Sequence, residues 1–170
     1  MGGLSSKGTP AGLPLGNTEE HLKTLKTHIE GALAAEISSG DVAVRQTREG
    51  LTVSLREIGF FDNGSDTIKA NSAGAFARLA EVLRQANDDI RVEGHTDNVP
   101  IHNSRFSSNW DLSAARATAT VRLLIQNYGF APERLSASGY AEFHPAATND
   151  TAQGRAMNRR VDIVIPRNHG

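Results

Sequence analysis

The 170-residue chain contains no cysteine, which removes thiol nucleophiles, cysteine-ligated zinc and redox switching together. That absence leaves the compartment open, because an oxidising space permits disulfides without requiring them. No run approaches the ~18 consecutive apolar residues of a membrane-spanning helix. Residues 1–16 read as small and flexible, without the apolar stretch of a signal peptide. The expectation is therefore either a cytoplasmic protein or a soluble piece of a longer exported or anchored one. An excess of one charge is missing too: eighteen Lys and Arg stand against nineteen Asp and Glu, for a net charge of -1. A nucleic-acid binder normally shows a basic excess or stripe, so nucleic acid is not an expected partner. The sequence has no Gly-rich phosphate loop, nucleophile elbow, HExxH or Ser-x-x-Lys, and the common enzyme templates fail with them.

What is present reads as one domain with an appended segment. Residues 1–17 (MGGLSSKGTPAGLPLGN) are rich in Gly, Pro and Ser and read as a flexible linker or remnant. Thr18 suits a helix cap, with Glu19 and Glu20 in the first turn. Leu22, Leu25, Ile29, Ala32 and Leu33 then recur at helical spacing, predicting an amphipathic helix over 18–38 within an 18–39 segment. Its stripe has two outlets, packing on its own domain or pairing with a second copy. Gly40 stops the helix. Val42 and Val44, then Leu51, Val53 and Leu55, alternate with polar residues around Arg48-Glu49-Gly50, the pattern of a β-hairpin.

The stretch FFDNGSD (60–66) reads as a loop, and Ala73, Phe76, Ala77, Ala80 and Leu83 mark a helix over 71–86. Ile90, Val92 and Gly94 form a strand, followed by a polar loop over 95–108 and a long helix over 110–127 stopped by Gly129. Ser108 and Asp111 resemble a capping box with Asp in the usual Glu place. Further strands are expected at Leu135–Gly139 and at Val161, Ile163 and Ile165. This alternation predicts an α/β or α+β sandwich, with helices on one face of a small mixed sheet.

Two regions carry candidate chemistry. Glu93, His95 and Asp97 sit at alternate positions leading out of a strand and so share one face if the strand continues. They are read as a solvated strand end rather than a metal site. The segment GHTDNVPIHNSRFSSNWDLSAAR (94–116) leads from a Gly-containing strand through a polar loop into a helix, a usual place for binding residues. Arg116 lies between Ala115 and Ala117, which predicts an unobstructed guanidinium. Asp97 and Arg116 at one rim could hold a zwitterion, the Asp taking its ammonium and the Arg its carboxylate in a two-pronged bond. Alternatively the two pair with each other and pin the loop, which spacing alone favours. Arg155, Arg159 and Arg160 read as structural ion-pairing residues.

GHTDN (94–98), NWDLSAARA (109–117), the stretch from Arg134-Leu135 to Gly139-Tyr140 and GRAMNRRVDI (154–163) together resemble the OmpA-like peptidoglycan-binding domain, over roughly residues 50–165. The long 97–108 loop and GFFDNGSDTIK (59–69) are most similar to its MotB, or flagellar stator, branch. The resemblance implies an α+β sandwich with a β-α-β-α-β core spanning 40–170, and a non-catalytic module without cofactor or metal. The implied ligand is the peptide stem of peptidoglycan, often with diaminopimelate, whose end carries an ammonium and a carboxylate. By motif, Asp97 meets the ammonium and Arg116 the carboxylate, Thr96, Asn109 and Leu112 line the site, and Asn158 and Arg159 support its floor. With the family in view the ligand-holding reading of Asp97 and Arg116 is preferred over the mutual pair. The resemblance further implies a homodimer in the periplasm, held in the inner membrane by an N-terminal helix outside this chain that meets a MotA-like subunit. The alternative within the family is the wall anchor of an outer-membrane porin or Pal-like lipoprotein.

Overall fold

The computed structural model describes residues 19–167; the linker reading of 1–17 and the Thr18 cap lie outside them. Five strands form one sheet: β1 (Val42–Gln46), β2 (Gly50–Arg56), β3 (Ile90–His95), β4 (Leu135–Gly139) and β5 (Arg160–Pro166), in the spatial order β1-β2-β5-β3-β4. Neighbours are antiparallel except β3 and β4, which are parallel because a helix, α5 (Asn109–Tyr128), joins them. The expected mixed sheet and hairpin are present.

Period-two alternation decides which face is dry. Leu51, Val53 and Leu55 stand opposite Ile165, Ile163 and Val161 across the β2–β5 register, and all six are completely buried. Helices α1 (Glu19–Ala32), α4 (Ala73–Ala86) and α5 supply the other half of this core through Leu22, Ile29, Phe76, Leu79, Leu83 and Leu124. Arg91, Glu93, His95, Thr52, Ser54 and Asp162 alternate with the core residues and project from the opposite face. Thr52, Ser54, His95 and Asp162 are nonetheless buried.

The stripe of α1 goes into this same core. Leu22, Leu25, Ile29 and Leu33 are each at most 3% exposed, so the apolar face offered for dimerisation is used within the chain. The single helix expected over 18–38 is two, α1 and α2 (Ala34–Ser39), separated at Leu33, whose φ of -113° and ψ of 24° leave helical geometry. Bonds from Leu33 N to Ile29 O and from Ile37 N to Leu33 O cross the break, so it is a kink that turns Leu33 inward. Gly40 ends α2 in the left-handed region, as expected of a glycine stop.

Two short helices occupy places where none was expected: α3 (Glu57–Phe60) opens the FFDNGSD loop, and α6 (Ala152–Asn158) precedes β5. The α5 cap is half of the expected box. Ser108 Oγ accepts from Asp111 N at 3.3 Å, but the Asp111 carboxylate turns to Ser107 N and Oγ. Close packing then fixes where α5 begins: a Cβ on Gly94 would lie 2.0 Å from Ser113 O, and one on Gly139 2.5 Å from Ala114 N. The start of α5 is thus pressed onto the ends of β3 and β4.

Candidate functional site

The strand β3 ends at His95, and the chain turns there, because Thr96 N bonds Ala141 O and not a strand partner. Asp97 therefore leaves the face that carries Glu93 and His95. This corrects the expected trio: Asp162 of the adjacent strand β5, not Asp97, completes the cluster with Glu93 and His95. Asp97 instead enters an open cleft of roughly 470 Å³, lined by Thr96, Asp97, Asn109, Leu112, Arg116 and Arg159 among others. Every ligand-lining residue expected from the sequence is brought together there.

Asn109 shapes the wall. Its Nδ2 donates to Asp97 O and Val99 O, and its Oδ1 accepts from Ile101 N, so one side chain clamps the 97–101 turn to the start of α5. Thr96 Oγ1 donates to Asp97 O at 2.7 Å, and Leu112, 4% exposed, supplies an apolar patch. The loop is tied across the cleft by Arg105 on Asp66 and by Asn103 Nδ2 on Gly64 O.

The charged groups form a chain different from both sequence readings. Asp97 Oδ2 accepts from Arg159 Nη1 at 2.7 Å, and Arg159 Nε reaches Glu57 Oε1 at 3.0 Å. Glu57 Oε2 in turn accepts from Arg116 Nη2 at 2.7 Å. Asp97 and Arg116 are thus linked through Arg159 and Glu57 and do not pair directly. Arg116 is not unobstructed either: it is 1% exposed, lies over the Phe61 ring, and donates to Ser65 O from Nε and to Asp62 O from Nη2. Its small neighbours Ala115 and Ala117 left room for the 57–66 segment to fold over it.

This bonding determines what the arginine can offer. Of its five N–H donors, those on Nε and Nη2 meet Ser65 O, Glu57 Oε2 and Asp62 O. The Nη1 pair has no partner among the described residues, so the two-pronged fork expected from the sequence is already engaged. Asp97 accepts from Val99 N and from Arg159, which leaves lone-pair capacity on its carboxylate.

Burial pulls the Arg116 proton affinity below the usual arginine value, against the attraction of Glu57. Partial burial also works against the Arg159 charge, but the bond to Asp97 and the charge of Glu57 outweigh it and hold that proton more tightly than usual. Among these cleft groups the charges are Asp97 and Glu57 against Arg116, Arg155 and Arg159, an arrangement that suits a ligand bearing both signs.

Asn158, expected at the floor, is completely buried and acts at a distance from the cleft. Its Oδ1 accepts from Ala146 N and Ala147 N, and its Nδ2 donates to Ala147 O and Asn149 Oδ1. It braces the 146–149 loop. Arg159 is a wall residue in direct contact with Asp97. Sequence reasoning missed Glu57 and read Arg155, which lines the cleft, as a structural ion-pairing residue; the GFFDNGSDTIK segment pointed to the right neighbourhood, beginning two residues after Glu57.

Fold and cleft together define an α/β sandwich module with a charged, open cleft at the carboxyl end of β3. The chain belongs to the OmpA family, whose sequence model matches residues 60–159. It is 36% identical over 148 residues to motility protein B of Bacillus subtilis, covering 86% of this chain and 57% of that relative's length. Among solved structures it is similar to the cell wall anchor of the T6SS from Pseudomonas aeruginosa, with a TM-score of 0.76, 35% identity, and coverage of 84% of this chain and 99% of that one. It is also similar to the periplasmic domain of Helicobacter pylori MotB, with a TM-score of 0.68, 32% identity, and coverage of 75% and 82%.

Proposed function

We propose that the cleft holds the peptide stem of peptidoglycan and that the chain is the wall-gripping part of a flagellar stator subunit. The observation that carries this reading is the pair of unfilled valences in one cleft, carboxylate capacity on Asp97 and the Nη1 donors of Arg116. An ammonium at the first and a carboxylate at the second describe the zwitterionic end of a diaminopimelate side chain. Arg159 neutralises Asp97, so an arriving ammonium shares that carboxylate with it. Such a site positions a ligand and transforms nothing, so no catalytic role or cofactor is proposed. The likeness to motility protein B and to a MotB periplasmic domain supports a periplasmic setting. It also supports an inner-membrane helix outside this chain, a MotA-like partner and a homodimeric assembly. A second reading, the wall anchor of another envelope machine, draws on the likeness to the T6SS anchor, which this chain covers almost completely.

Co-sedimentation of the chain with purified sacculi tests the shared part of both readings. Saturable binding to diaminopimelate-type wall, competed by free stem peptide and without released fragments, is the expected result. A soluble chain that leaves such sacculi bare contradicts it.

A further inference from the structure

Away from the cleft, the polar face of the sheet carries the corrected trio. Glu93 and Asp162 stand directly opposite each other across β3 and β5, a placement in which like charges repel. Arg91 Nε meets Glu93 Oε2 at 3.2 Å and Ser54 Oγ meets Asp162 Oδ1 at 2.6 Å on the outer sides of the two carboxylates, while Arg160 Nε reaches both Asp162 oxygens. The other oxygens, Glu93 Oε1 and Asp162 Oδ2, turn toward His95 Nε2, at 3.7 and 3.6 Å. Those distances are too long for hydrogen bonds. His95 is 3% exposed, and neither of its ring nitrogens has a hydrogen-bond partner among the described residues.

A buried imidazole normally satisfies its nitrogens, so a His95 Nε2 that faces two carboxylate oxygens without bonding either requires an explanation. Two ligands of one zinc ion, at about 2.0–2.2 Å from it and at tetrahedral to trigonal angles, lie about 3.4–3.6 Å apart. The two distances from His95 Nε2 are close to that spacing, and all three ligand atoms lie within 4.8 Å of one another. We infer that Glu93, His95 and Asp162 form a binding site for a divalent transition-metal ion of the zinc type, separate from the cleft.

The surroundings fit such a site. Ser54 and Arg91 orient the carboxylates as outer hydrogen-bond partners of metal ligands do. Arg160 Nε also lies 3.1 Å from both Asp162 oxygens, a positive charge that holds Asp162 and moderates the site's affinity. The trio borders a cavity of roughly 270 Å³ that His144 also lines. The exposed His144 ring lies 6.1 Å, centroid to centroid, from His95, near enough for a rotamer change to supply a fourth ligand in place of water. Because Glu93 and His95 are among the last residues of β3 before Thr96 and Asp97, a bound ion would also brace the root of the cleft.

Titration calorimetry and thermal unfolding of the 170-residue chain with Zn²⁺ alone test the inference. One ion per chain is expected, with a rise in melting temperature reversed by a chelator. Glu93→Gln and His95→Gln should each weaken binding at least about tenfold. Co²⁺ should give the absorption of a four- or five-coordinate site in the parent protein and lose it in both variants. Glu93→Gln, at a partly exposed position, keeps the test open where His95→Gln fails to fold. Zn²⁺ uptake that survives both substitutions, belonging to other histidines, overturns the assignment. So does a chain that takes no Zn²⁺.

Discussion

Glu57→Ala isolates the contact on which the cleft's architecture depends. The substitution leaves Arg116, almost completely buried, with Ser65 O and Asp62 O but without its one carboxylate hydrogen-bond partner among the described residues. Breaking a buried pair by removing one member costs about 3–5 kcal/mol, chiefly because the remaining charge stays desolvated. For a domain of this size about 1 kcal/mol shifts the melting temperature by about 2–4 °C, so Glu57→Ala should lower it by about 6–20 °C. Glu57→Gln keeps an acceptor in place and should cost less. Asp66→Asn is the control, because its partner Arg105 is largely exposed and such pairs contribute about 0–1 kcal/mol. Thermal and urea unfolding of the three variants side by side gives the ranking. Equal losses for Glu57→Ala and Asp66→Asn would refute the view that Arg116 is anchored from within before it meets any ligand.

Replacing Leu25 and Ile29 together by Lys should abolish cooperative unfolding, since both side chains are buried in the chain's own core and deleting one buried aliphatic side chain already costs about 2–5 kcal/mol. A folded double variant that merely sediments more slowly would instead restore the intermolecular role of the stripe. The Asp111 carboxyl is held below the ordinary Asp value of about 3.9 by its bond from Ser107 Oγ. Its folded-state value being depressed, its contribution to stability is present above the unfolded value and fades as pH falls through the folded one. NMR titration should find its midpoint below the ordinary value and see it rise in Ser107→Ala; an unchanged midpoint would exclude the bond.

The elements readable in the sequence were those long enough to show a period. The β1–β2 hairpin, α4, β3 and α5 each carry several repeats of their apolar spacing, and Gly40 and Gly129 mark two helix ends by the left-handed conformation they adopt. The helices α3 and α6, with four and seven residues, are too short to show one. The kink at Leu33 arises from packing, which no local pattern contains. At the site, motif likeness located Thr96, Asp97, Asn109, Leu112 and Arg116 in one cleft, but not their partners. Glu57 is 59 residues from Arg116 and 102 from Arg159; the register of β2 against β5 sets Glu57 beside Arg159, and the packing of α5 adds Arg116. The polar cluster failed for a related reason. Alternation places Asp97 beside Glu93 and His95 only while the strand lasts, and β3 stops at His95, leaving the third position to a neighbouring strand.

The central claim is that Asp97 receives the ammonium of the stem peptide. Calorimetric titration of the parent chain and Asp97→Asn with a diaminopimelate-containing tripeptide tests it most directly, because the substitution keeps the shape of the side chain and removes its charge. Removing one member of a desolvated charged contact costs about 2–5 kcal/mol, so the variant should bind roughly 30-fold more weakly or worse. Its fold should persist, since Arg159 keeps Glu57 as a partner. Undiminished affinity in a folded Asp97→Asn protein would contradict the account.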